Sequence, residues 1–147
     1  MCAGNLPLRM SVLVAYDGSA PAQKAATYAF EEYPDEEIVL LRVLEMAEGY
    51  TGAGIEVARD ALGERKEEAS ETVLSEVRDL AGSSQAEFRT EVRAGNPARE
   101  VVELADEENV DHIVVGNHGR TGVSRVLLGS VAEKIVRRAP VPVTVVR

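Results

Sequence analysis

Two kinds of apolar pattern alternate along this chain. The first is a short, nearly unbroken run: SVLVAY at residues 11–16, IVLLRVLE at 38–45, HIVVG at 112–116 and the closing VPVTVVR at 141–147. The first three, with their β-branched members, suit strands buried on both faces of a parallel sheet, and the fourth reads as a last strand at an open edge. AEFRTEVR at 86–93 differs, because Ala86, Phe88, Thr90 and Val92 alternate with Glu87, Arg89, Glu91 and Arg93. One wet face marks that segment as an edge strand.

The second kind is helical. Ser19 is a natural N-cap, Pro21 is tolerated in a first turn, and Pro34 forbids continuation, so a helix is predicted over 20–32. Residues 46–57 hold three glycines and no period, which reads as a loop. From Arg59 to Ala81, Leu62, Ala69, Val73, Val77 and Leu80 fall on one amphipathic face, and Gly82 closes the helix. Asn96-Pro97 opens another as N-cap and first helical residue, with Ala98, Val101, Val102 and Ala105 facing inward. A last helix is predicted over 130–138.

The order βαβαβαβαβ implies right-handed crossovers and a parallel sheet. The expected fold is a single-domain Rossmann-like α/β three-layer sandwich, its five-stranded sheet ordered 3-2-1-4-5. Strands one and four are then neighbours whose helices leave on opposite faces. Ligands of such sheets bind beyond the carboxyl ends of the strands at that switch point.

Composition narrows the function classes. The 147 residues, 45% of them apolar, suit one globular domain with its own core. We divide them into an N-terminal tail, 1–9, and the domain, 10–147. A net charge of −9 argues against duplex DNA and anionic lipid as partners. There is no run of about 18 apolar residues to span a membrane. The N-terminus has no apolar signal region, so a cytoplasmic location is expected. Cys2 is a single thiol with no metal-binding spacing around it.

Both candidate loops fall on the switch point. Asp17-Gly18-Ser19 follows the first strand, and GNHGRTGVSRVLLGS, residues 116–130, follows the fourth. Gly116 and Gly119 let the backbone turn and approach a ligand with no Cβ in the way. Gly129-Ser130 opens a helix whose free N–H groups and positive dipole end suit phosphate, and the Ser130 hydroxyl adds a donor. Arg120 and Arg125 could offset anionic charge. The loop is neither a Walker A, lacking GK[ST], nor a dinucleotide GxGxxG. His118 has no carboxylate or hydroxyl partner assignable from sequence, and His112, starting a strand, reads as structural.

The pattern Gly116-x2-Gly119-x9-Gly129-Ser130, after IVVG and before VAEKIVRRAPVPVTVVR, resembles the universal stress protein family, as does the opening VLVAYDGS at 12–19. The glycines match that family's ATP-binding branch. The resemblance implies ATP with Mg²⁺ as ligand and homodimers paired through the last strand. It places Asp17 near the phosphates as the Mg²⁺ residue, and Ala15 and Val43 at the adenine. Val115 and Gly116 would border ribose and adenine. Gly119, Gly129, Ser130 and Val131 would contact phosphates through backbone N–H groups and the hydroxyl. Asn117 stands where a small hydroxyl residue is usual. The implied activity is a nucleotide-dependent regulatory role in the stress response without dedicated catalysis. The alternative is a slow ATPase or nucleotidyl-transferring enzyme on the same fold, which would need a positioned base and a second pocket.

Overall fold

The structure, a computed structural model, describes residues 9–45, 54–117 and 128–147, the side chains of 54–60 excepted. The strands are β1 (Ser11–Ala15), β2 (Glu37–Leu44), β3 (Glu87–Ala94), β4 (His112–Gly116) and β5 (Val143–Val146). The helices are α1 (Ala20–Glu32), α2 (Gly54–Ala81), α3 (Pro97–Glu107) and α4 (Ser130–Arg138). All strand pairs are parallel and the order is β3-β2-β1-β4-β5, as the alternation predicts.

Each unbroken apolar run feeds two layers at once. Along β1, Val12 and Val14 pack with Ile38, Leu40 and Val114 against α1 and α2, while Leu13 packs with Val39, Leu41, Ile113 and Val115 against α3 and α4. Val12, Leu13 and Val14 are all 0% exposed. Burial of each such side chain contributes about 1.5–3 kcal/mol, which is why the middle of a strand inside three layers is apolar. On α1 the buried face is mostly alanine: Ala22, Ala25, Ala26 and Ala29, then Phe30. Those small side chains let the helix lie close on β1 and β4.

The caps follow their residues. Ser19 Oγ accepts the Ala22 N–H at 3.3 Å and Asn96 Oδ1 accepts the Arg99 N–H at 3.1 Å. Gly82 ends α2 at φ +53°, a conformation that favours glycine. Charge blunts the β3 edge: Arg89 pairs with Glu37 at 3.1 Å and Arg93 with Glu107 at 2.9 Å. Arg9, placed by sequence in the tail, pairs with Glu87 of that strand at 2.9 Å.

Three expectations are corrected. Helix α2 begins at Gly54, so 54–57 is helix rather than loop. Glycine is costly inside a helix, but Gly54 is its first residue, and Ile55, Glu56, Val57 and Ala58 behind it include no breaker. On α3 the fourth buried residue is Leu104, 0% exposed, whereas Val102 is half-buried. Leu104 lies three residues past Val101, on the turn above it, while Val102 is rotated towards the rim. The closing strand is shorter than 141–147, because Pro142 lacks the N–H that would extend it. Among the described residues no helix is long and apolar enough to cross a membrane.

Candidate functional site

Strands β1 and β4 are hydrogen-bonded neighbours, yet α1 leaves on one face of the sheet and α4 packs on the other. The gap between the two connections is a cleft of about 770 Å³ at the carboxyl ends of the strands. Ala15, Asp17, Val43, Val115, Gly116, Gly129, Ser130 and Val131 all line it. Gly119 lies outside the described residues, as do His118, Arg120 and Arg125. Residues from both ends of the chain thus meet in one cavity of a size that suits a small-molecule ligand.

Its floor is apolar where strands end: Ala15, Leu41, Val43 and Val115. Its far wall is the start of α4. Gly129 is the N-cap of that helix at φ −61° and ψ 157°, and among the described residues no side chain caps it. The first helical bond runs from the Glu133 N–H to the Gly129 carbonyl at 2.9 Å, so the N–H groups of the first turn lack intrahelical acceptors. They carry the positive end of the helix dipole into the cleft.

The two glycines lining the cleft have separate reasons to lack a side chain. A Cβ on Gly116 would stand 2.4 Å from the Pro21 carbonyl oxygen and 2.5 Å from its carbon. The approach it permits is therefore by the first turn of α1, not only by a ligand. Gly129 has a backbone any residue can adopt, and its own N–H is donated to Asn117 Oδ1 at 3.1 Å. What glycine removes at 129 is a self-capping side chain.

Opposite α4 stands the turn after β1. Asp17 Oδ1 accepts the Ser19 N–H at 2.9 Å, and Gly18 takes φ +83° to close the turn. Arg42 donates through Nη1 to the Asp17 carbonyl. Behind it, the buried Tyr16 hydroxyl donates to Glu76 Oε2 of α2 at 2.6 Å. Burial, and then the bond to the carboxylate, push the Tyr16 pKa well above the usual phenol value.

Arg42, Glu45 and Arg65 also line the cleft and were not among the sequence candidates. Arg42 had a signal, as a charged residue interrupting the apolar run IVLLRVLE. Arg65 had none, since only the packing of α2 brings it there. Asp17 and Glu45 are the carboxylates of the wall, and among the described residues no group of three or more His, Cys, Asp or Glu could hold a metal ion. Mg²⁺ fits this donor set only as an ion shared between a carboxylate, water and a ligand's own phosphate oxygens. An adenine nucleotide fits better defined features: apolar strand ends for a base, and open amides with two arginines for anionic groups.

Residues 9–147 match the model of the universal stress protein family. The chain belongs to that family. A universal stress protein of Methanocaldococcus jannaschii is 33% identical over 143 residues, covering 95% of this chain and 83% of the relative. UspA from Lactobacillus plantarum superposes with a TM-score of 0.74 at 23% identity, over 95% of this chain and 99% of its own, and bears on the fold alone. A universal stress protein crystallised in complex with cAMP reaches a TM-score of 0.70 at 27% identity, over 94% of this chain and 97% of its own.

Proposed function

We propose that this family member binds an adenine nucleotide, ATP carried with Mg²⁺, in the cleft between β1 and β4, and acts as a nucleotide-dependent regulatory protein of the stress response in the cytoplasm. The observation that carries the reading is the start of α4: a first turn whose amides no side chain caps among the described residues, opened by a glycine and lining the same cleft as Asp17 and the apolar strand ends. The relative solved with cAMP supports an adenine ligand.

In this reading Ala15, Val43 and Val115 take the base and ribose together with Gly116. Gly119, Ser130 and Val131 donate main-chain N–H groups to phosphate, with the Ser130 hydroxyl as a further donor; Gly129, expected to donate as well, instead gives its N–H to Asn117 and serves by opening α4 without a cap. Asp17 faces a phosphate-bound Mg²⁺, whose part is to offset anionic charge. The protein works as a homodimer through β5, a half-exposed strand at the sheet edge whose pairing with its own copy would bury an otherwise open apolar edge.

The test is nucleotide affinity by calorimetry for ATP, ADP, AMP and GTP, with and without Mg²⁺, alongside mass analysis of whatever co-purifies. Adenine nucleotides should bind, ATP more tightly with Mg²⁺, and Gly129→Val should abolish retention while the fold persists. Retention that survives Gly129→Val removes α4 from the site. ADP alone in the purified protein would side with slow hydrolysis.

A further inference from the structure

We infer that Asn117 is a positioning residue: its side-chain carbonyl ties the end of β4 to the start of α4 and so holds the anion cradle in shape. This rests on the nucleotide-binding reading above and deepens it. Asn117 is anchored first by its backbone, whose N–H donates to the Val146 carbonyl at 2.9 Å and extends the β4·β5 ladder by one bond. From that fixed point Oδ1 accepts the Gly129 N–H at 3.1 Å, across twelve positions of sequence, in a part-buried setting. The contact does two things at once. It satisfies the N–H of the N-cap residue, which glycine at 129 has no side chain to assist. It also leaves the N–H groups of Ser130, Val131 and Ala132 untouched, because the acceptor meets the residue before them. A side chain of the same reach that capped the first turn itself would compete with a ligand. Asparagine here steadies the helix start while leaving its donors open.

The carbonyl is neutral, and that is the second half of the inference. A carboxylate of the same shape would accept the same bond and would favour the helix dipole, but it would set a negative charge beside bound phosphate. Asn117→Asp therefore separates holding from repelling. Its apo thermal midpoint should match or exceed the parent's, while affinity falls by about tenfold or more for ATP, less for ADP and least for AMP. Asn117→Ala removes the tie and should weaken all three nucleotides by a similar factor, about three to tenfold. A purely structural role would lower the midpoint in Asn117→Ala alone, and in neither variant would the loss of affinity grade with phosphate number. Hydrogen exchange at the Gly129 amide reads the tie without any nucleotide: slow in the parent and in Asn117→Asp, fast in Asn117→Ala. Parent-like affinities in both variants, or a fast-exchanging Gly129 amide in the parent, overturn the inference. A parent that binds no nucleotide while its Gly129 amide is protected fails the proposed function and leaves the tie standing. If Asn117→Ala does not fold, Asn117→Asp alone decides, through the grading with phosphate number.

Discussion

At the amino end of the sheet the protein answers its own polar groups. Asp111 Oδ2 accepts the Ser11 N–H at 2.8 Å, Glu36 accepts the Met10 N–H, and His112 Nε2 meets Thr144 Oγ1 at 2.6 Å beneath the Tyr33 ring. At the carboxyl end, α3 is capped by Asn96 but α4 starts on a glycine that, among the described residues, has no side-chain cap, next to a cleft of about 770 Å³. The same strands run between both ends, so fold stability alone does not account for the contrast. Unanswered donors at one end cost free energy unless water or a ligand meets them. A closed end reads as structure and an open end as site, and the comparison makes claims that substitution can test.

The largest effect should come from a residue that lies at the open end but acts on the fold. Gly116→Ala places a methyl 2.4 Å from the Pro21 carbonyl oxygen, an atom of α1's own backbone that cannot swing aside. Overpacking of this kind costs about 1–3 kcal/mol or more. The apo protein should melt roughly 3–10 °C lower. An unchanged melting temperature would mean that α1 does not lie as close to β4 as described.

Next in size is an exchange of caps. Asn96→Ala removes the acceptor for the Arg99 N–H and should cost about 1 kcal/mol in chemical denaturation, with nucleotide affinity kept. Gly129→Ser does the reverse, supplying α4 with the kind of cap that Ser19 gives α1. Stability should rise by a few tenths of a kcal/mol while nucleotide affinity drops by about three to tenfold, since the new hydroxyl engages the amides a phosphate would use. Equal affinities for parent and Gly129→Ser would erase the distinction between the helix starts.

How far these features were legible beforehand follows from where their partners lie. The central strands, the caps at Ser19 and Asn96 and the 3-2-1-4-5 order rest on local pattern, and local pattern survives folding. Asp17 was reachable because a parallel sheet sends the ends of β1 and β4 to one edge, whereas Ala15, Val43 and Val115 were reached only through the family resemblance. The Tyr16–Glu76 bond spans sixty positions and the Asn117–Gly129 bond twelve, and no periodicity encodes either. The role of Gly116 was read as serving a ligand because the motif is a loop motif. That α1 occupies the space next to it depends on how closely its alanine face seats, which sequence spacing does not set. Leu104 displaced Val102 for a similar reason: a helix of period 3.6 fixes a face only to within one neighbour.

A smaller effect separates the two ends by pH. Tyr16 supports the open end from beneath, and its pKa is raised in the folded state chiefly by burial and then by Glu76. Its contribution is fully present below the unfolded value of 10.0 and is lost as pH rises above it. Tyr16→Phe should flatten the alkaline limb of the stability profile, measured by urea midpoints between about pH 8 and pH 11. It should cost about 1 kcal/mol at neutral pH through the lost hydrogen bond. An alkaline limb as steep as the parent's would assign that loss to other groups.

The smallest effect belongs to the closed end. Desolvation lowers the pKa of half-buried His112 below 6.5, because the imidazolium form is the one burial disfavours. The folded protein therefore binds this proton less readily than the unfolded chain. Stability from His112 is complete above pH 6.5 and declines as pH falls from there through the folded value, then levels off. His112→Gln cannot titrate, so its stability should be flatter between about pH 7 and pH 5 than the parent's. Histidine NMR titration gives the folded value directly. Nucleotide affinity should not change with this substitution, since His112 lies a full strand length from Gly116. Loss of affinity in His112→Gln at constant stability would mean that the two ends of the sheet are coupled, and the division between a closed structural end and an open binding end would have to be given up.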